Sequence, residues 1–151
     1  MQKKFIFGIF VLLAVLTFGC TQPQANGPTG NATNTGNANT PPALEVGNFT
    51  VEVTAAGYAP QNLTIKKGST VTWVNKTSTP NWPATAQHPT HDKYPGSSIT
   101  KCGTGEAEDI FDACKGLEEG QSFSFTFNEA GEWAYHEHLT VKMFGKITVV
   151  E

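Results

Sequence analysis

The sequence predicts an all-β fold, an antiparallel sandwich or barrel, over residues 44–151. Three observations carry this. Apolar and polar residues alternate with period two in several short runs, of which "FTVEVTA" (Phe49–Ala55) is the clearest, and a strand turns alternate side chains to opposite faces. The runs are rich in Val, Thr, Phe and Trp and are separated by turn residues. No long stretch repeats its apolar residues with the 3.6-residue period of a helix.

The elements follow in chain order. After "FTVEVTA", the segment "NLTIKKGSTVTWVN" (Asn62–Asn75) reads as strand, Lys-Gly turn, strand. "QSFSFTFNEAGEWAYHEH" alternates through Phe123, Phe125 and Phe127, turns at Asn128–Gly131 and resumes with Trp133 and Tyr135. "MFGKITVVE" closes the chain as a last strand. Between them Lys76–Gly120 shows no clear strand and is rich in Pro and Gly; "AEDIFDACKGL" within it has room for a helical turn or two. Irregular excursions of this length are usually functional or cross-linked.

The N-terminus has another character. Lys3 and Lys4 precede the 14-residue apolar run Phe5–Phe18, then Gly19 and Cys20. This reads as an export signal over residues 1–20, shorter than the ~20 apolar residues of a membrane span; the alternative is an uncleaved anchor. "LTFGC" is similar to a lipoprotein cleavage box, which makes Cys20 the candidate lipid-bearing residue. Residues 21–43 contain only Thr, Gln, Pro, Ala, Asn and Gly. Such a segment cannot bury enough apolar surface to offset its ordering entropy, so a flexible tether with a reach of roughly 25 Å is expected. Three cysteines are an odd number for an exported protein. With Cys20 lipidated, Cys102 and Cys114 remain to form a disulfide that staples the irregular insertion. Asn31, Asn48, Asn62 and Asn75 each begin a glycosylation acceptor triplet.

The formal net charge is -3, and there is no arginine. Without the two lysines of the leader, 8 lysines face 13 acids, a balance of -5. This balance argues against nucleic acid as a partner, because phosphate binding needs a basic stripe.

All four histidines fall in two tight pairs, His88 and His91 in "QHPTH" and His136 and His138 in "YHEH". Residues i and i+2 of a strand share a face, so His136 and His138 project together if the strand stays regular. The first pair spans Pro89 at a spacing that suits a turn. Imidazole is the commonest protein ligand for copper, zinc, nickel and iron. Met143 offers a soft thioether, which favours Cu(I), or else is core filling. The set points to copper first and zinc second. Glu137 is expected on the opposite face, in solvent. Trp73, Trp82 and Trp133 are expected to pack the core, with Trp82, inside the insertion, placed to cover the site.

"GYAPQNLTIKKGSTVTWVN" and "GEWAYHEHLTVKMFGKITVV" resemble the cupredoxin family, the plastocyanin-type copper proteins, over roughly Val46–Glu151. The resemblance implies a Greek-key β-sandwich or barrel whose last two strands carry a Cys, a His and a Met as ligands. His138 matches the family histidine and Met143 the axial methionine, while His136 stands where the cysteine should be. Asn81 replaces the upstream histidine. "NWPATAQHPTHDKYP" resembles an extended subgroup in which His88 or His91 supplies that imidazole. Without a thiolate, the metal has mainly nitrogen donors and Cu(II) favours tetragonal geometry, so fast electron transfer is not expected.

The function expected is therefore an exported, membrane-tethered copper-binding protein, for copper capture or delivery or slow redox exchange. It would sit on the outer face of the cytoplasmic membrane, in a periplasm or on the cell surface, with a redox or copper-trafficking protein as partner. The alternatives are an electron-transfer shuttle of plastocyanin type and a zinc-binding or metal-free interaction module. No acid-base dyad or nucleophile points to an enzyme.

Overall fold

The structure, a computed structural model, describes residues 44–151. The leader 1–20 with Cys20, the tether 21–43 and the Asn31 acceptor lie outside the described residues. Eight strands follow: β1 (Asn48–Thr54), β2 (Gly57–Ala59), β3 (Asn62–Lys66), β4 (Thr70–Asn75), β5 (Pro83–Thr85), β6 (Ser122–Thr126), β7 (Gly131–Glu137) and β8 (Phe144–Val150). They form two four-stranded sheets, ordered β2-β1-β4-β6 and β3-β8-β7-β5.

The sandwich is mixed and not antiparallel throughout, because β1 pairs with β4 and β3 with β8 in parallel. The reason lies in the connections. "IKKGST" does not close a hairpin but carries the chain from one sheet to the other. There the Lys67 N–H donates to the Val150 carbonyl at 2.8 Å and the Gly68 N–H to the Phe127 carbonyl at 2.7 Å. Gly68 has φ +87°, a conformation glycine adopts without penalty. "NEAGE" likewise joins β6 to β7 across the sandwich. At these two connections consecutive strands, β3 with β4 and β6 with β7, enter opposite sheets, whereas β1 with β2 and β7 with β8 stay antiparallel neighbours within one sheet.

Period-two alternation decides what lies inside. Val51 and Val53, Val71 and Trp73, and Ile147 and Val149 are buried between the sheets. Trp73 stands at the centre, with ring centroids 5.0 Å from Phe111 and 5.3 Å from Tyr135. Phe111 comes from the insertion, so part of the excursion completes the core. Trp133 is half-buried against that cluster, as is Met143. Gly145 faces Tyr135 so closely that any Cβ would overlap the phenol ring.

The insertion is more ordered than its composition suggests. Pro83–Thr85 forms β5, paired antiparallel with the end of β7. On its other side β5 meets Asp112 through Ala84, and the residue pair Asn81 and Leu117 bridges just beyond it. The helical tendency of "AEDIFDACKGL" is realised only as one 3-10 turn, Ala107–Asp109. Cys102 and Cys114 form the expected disulfide. Asn75 is fully buried, and its amide donates to the carbonyls of Thr79 and Leu117, both at 2.8 Å. It is therefore closed to glycosylation, whereas Asn48 and Asn62 are exposed.

Candidate metal centre

The β5–β7 pairing places Ala84 opposite His136, and the Ala84–Asp112 bridge extends the row to Asp112. The insertion therefore lies beside the end of β7, where the "YHEH" pair emerges. From it, "QHPTH" brings His88 and His91 onto the same spot. Each of the four imidazoles offers one nitrogen, and these nitrogens lie within 4.8 Å of one another. Ring centroids are 5.1 Å apart for His91 and His136, 4.7 Å for His91 and His138, and 4.9 Å for His88 and His138. The two sequence pairs form one cluster. His91 and His136 are buried, His138 is half-buried and His88 is exposed.

Strand β7 ends at Glu137, so His138 lies one residue beyond it, and its N–H donates to the Trp82 carbonyl at 2.9 Å. The Trp82 ring stands 4.4 Å from His138, centroid to centroid, which puts this tryptophan over the site instead of in the core. Its indole N–H donates to Asp112 Oδ1 at 2.5 Å, and the Cys114 backbone N–H donates to the same oxygen at 2.7 Å. Asp112 Oδ2 meets His91 Nδ1 at 2.5 Å. His91 also has φ 54°, the left-handed region, which costs a non-glycine residue energy unless its surroundings hold it. Its N–H donates to the Gln87 carbonyl at 2.7 Å.

Glu137 is not in solvent. It is buried, and its carboxylate accepts from the backbone N–H groups of Leu139 at 2.8 Å, Thr140 at 2.6 Å and Trp82 at 3.2 Å. It shares the Tyr135 face of β7, while His136 takes the other. The loop between β7 and β8 is thereby folded onto an internal acceptor, which positions His138. Met143 ends this loop; its carbonyl accepts the Glu137 N–H at 2.9 Å, and its side chain lines a depression with Tyr58, Gln61 and Phe144.

The electrostatics suit a cation. Burial first, then the neighbouring imidazoles of His91, His88 and His138, push His136 down to about 4. His138 is lowered by burial and by His91 and His88. Both rings are therefore neutral near pH 7, with lone pairs available. His136 Nε2 is buried with no hydrogen-bond partner, an arrangement that native structures rarely leave unexplained. His138 Nδ1 and His91 Nε2 are 2.9 Å apart and hydrogen-bonded to each other, close to the separation of two cis nitrogens on one tetragonal ion with bonds of about 2.0 Å. The donor set fits Cu(II) or zinc, and no thiolate is on offer among the described residues because Cys102 and Cys114 are joined.

Sequence reasoning found all four histidines but missed Asp112 and misplaced Glu137. The available signal was local: Asp112 stands in "IFDAC", an acid flanked by apolar residues and two positions from a bridged cysteine.

No curated protein matches the sequence. Among solved structures, the chain is similar to a purple cupredoxin from Nitrosopumilus maritimus, at 25% identity and TM-score 0.50 over 67% of this chain and 98% of that one. It is also similar to an oxidized mutant of amicyanin, at 27% identity and TM-score 0.48 over 68% and 81%. A copper-containing nitrite reductase from Thermus scotoductus SA-01 shares the fold at 24% identity and TM-score 0.51, over 72% of this chain and 24% of the reductase. Residues 46–150 match the family described as "Copper binding proteins, plastocyanin/azurin family". That match runs through all eight strands, so the chain belongs to the plastocyanin/azurin family of copper-binding proteins.

Proposed function

We propose that this protein is an exported, membrane-tethered member of the family that captures or delivers copper, or exchanges its electron slowly, through a site of four imidazoles. The observation that carries this reading is the convergence of His88, His91, His136 and His138 with the two domain cysteines bonded to each other. When bound, copper supplies a redox-active ion; without a thiolate it lacks the covalency that makes electron transfer fast. The chain supplies the rest. His91 and His138 present nitrogens to one point, Trp82 shields His138 from water, and the exposed His88 leaves the cluster reachable from solvent. Such a site can take an ion from solution or pass it to a partner.

The export signal over residues 1–20 and the polar tether 21–43 support a surface location, with Cys20 as the lipid-bearing residue. Replacing Cys20 with Ser should release the protein from membranes or leave its leader uncleaved; an unmodified N-terminus at another residue in the wild type would count against lipidation.

The copper site is tested by metal analysis after equal exposure to copper and zinc, with electron paramagnetic resonance of the Cu(II) form. One copper per chain with several nitrogen couplings and a pale colour is expected. Intense blue absorption would mean a thiolate ligand and favour the electron shuttle, and preferential zinc uptake would overturn the copper assignment.

A further inference from the structure

Asp112 is the one buried carboxylate facing the cluster from the insertion, and the family resemblance does not draw attention to it. It is 1% exposed. Two of its three partners can only donate: the Trp82 indole N–H and the Cys114 backbone N–H, both to Oδ1. Its other oxygen, Oδ2, meets His91 Nδ1. A carboxylate is an acceptor on both oxygens, so the shared proton belongs to His91 Nδ1. Nε2 then keeps its lone pair, and this is the nitrogen that lies 2.9 Å from His138 Nδ1.

We propose that Asp112 is a positioning residue that locks His91 in the Nδ1–H tautomer and so makes its Nε2 a metal ligand. This rests on the four-imidazole reading of the site. The lock is rigid because the carboxylate is fixed from behind by groups outside the metal cluster. Trp82 Nε1 anchors it from β5's approach, and Cys114 anchors it from a backbone that the Cys102 disulfide holds. Asp112 thus links the covering tryptophan, the disulfide and a ligand through one side chain.

The isosteric change Asp112→Asn separates this role from simple packing. The amide oxygen can still accept from Trp82 and Cys114. Its NH2 then faces His91 Nδ1, which must turn acceptor and move the ring proton to Nε2, where it blocks the metal. The test uses the full chain. Long-range proton–nitrogen NMR of the metal-free wild type should show the His91 proton on Nδ1, and Asp112→Asn should move it to Nε2. Cu(II) affinity, measured against a competing chelator, should fall by about 10–100-fold in Asp112→Asn. The double variant with His91→Ala should bind no more weakly than His91→Ala alone, the non-additivity expected of one functional unit.

A His91 proton on Nε2 in the wild type overturns the proposal, and that measurement stands even if Asp112→Asn fails to fold. A folded Asp112→Asn protein with parental tautomer and affinity overturns it too, as do losses that simply add. If the wild type takes up no Cu(II), the four-imidazole reading fails, while the tautomer spectra still decide what Asp112 does to His91.

Discussion

Thr140 is tied twice to Glu137: its backbone N–H and its hydroxyl both donate to Glu137 Oε2 at 2.6 Å. The other carboxylate oxygen, Oε1, accepts the N–H of Leu139 at 2.8 Å. A buried acid thus organises the loop that carries His138. Removing it in Glu137→Ala takes the shared acceptor from the part-buried N–H groups of Leu139, Thr140 and Trp82 and should lower stability by about 2–3 kcal/mol in denaturant unfolding. Glu137→Gln retains an acceptor oxygen and should cost less. Equal stability of the alanine variant and the parent would show that the loop does not depend on this carboxylate.

The proposed ligand set makes separate predictions for each side chain. His136→Ala and His138→Ala should each weaken Cu(II) binding by more than the ~10–100-fold typical of outer contacts to a metal ligand. Met143→Leu should leave Cu(II) affinity close to parental, because the thioether packs against the apolar cluster, and any loss should appear with Cu(I). Chelator competition with both oxidation states measures this. Parental Cu(II) binding by the two histidine variants would make the pair structural.

Acid should destabilise the metal-free protein. The His136 pKa is held at about 4 against an ordinary 6.5, chiefly by burial. The folded state therefore refuses a proton that the unfolded chain accepts. The associated stability is complete above pH 6.5 and is lost as pH falls to about 4, up to ~3 kcal/mol. His138 is shifted in the same direction. Copper affinity should hold to lower pH and fall as pH approaches about 4, where the folded His136 itself takes a proton that competes for its nitrogen. Thermal unfolding at pH 7 and pH 4.5 checks the first claim, and an unchanged midpoint would refute it.

Reducing the Cys102–Cys114 disulfide opens a loop of separation 12, which on the chain-entropy account removes about 3 kcal/mol. Unfolding with and without a dithiol reductant measures this. Because Cys114 holds Asp112 through its N–H, copper affinity should fall as well. Two free thiols in the denatured, unreduced protein would contradict the bridge.

The longer strands and the candidate metal-binding residues were readable from the sequence because both signals are local, whereas the three-residue strands β2 and β5 were too short to show a period. Phe49–Ala55 and Phe123–Phe127 alternate with period two whatever their partners, and four histidines in two pairs state their chemistry through residue type and spacing. Glu137 shows the limit. Alternation puts it on the face opposite His136, as expected, but whether that face meets water depends on what else packs there. Tyr135 and the folded-back loop enclose it, and neither fact follows from "YHEH".

The sequence by itself determined an all-β domain, the Cys102–Cys114 pairing left once Cys20 is set aside, and the residues able to hold a metal. Only the tertiary structure decided which strands share a sheet, that His88 and His91 meet His136 and His138, and that Asp112 stands behind His91. The physical reason is range. Periodicity and ligand chemistry act over a few residues. The β1–β4 and β3–β8 parallel pairs, the β5–β7 pairing and the Asp112–His91 contact join segments far apart in the chain, and they are chosen by the packing of the whole core around Trp73.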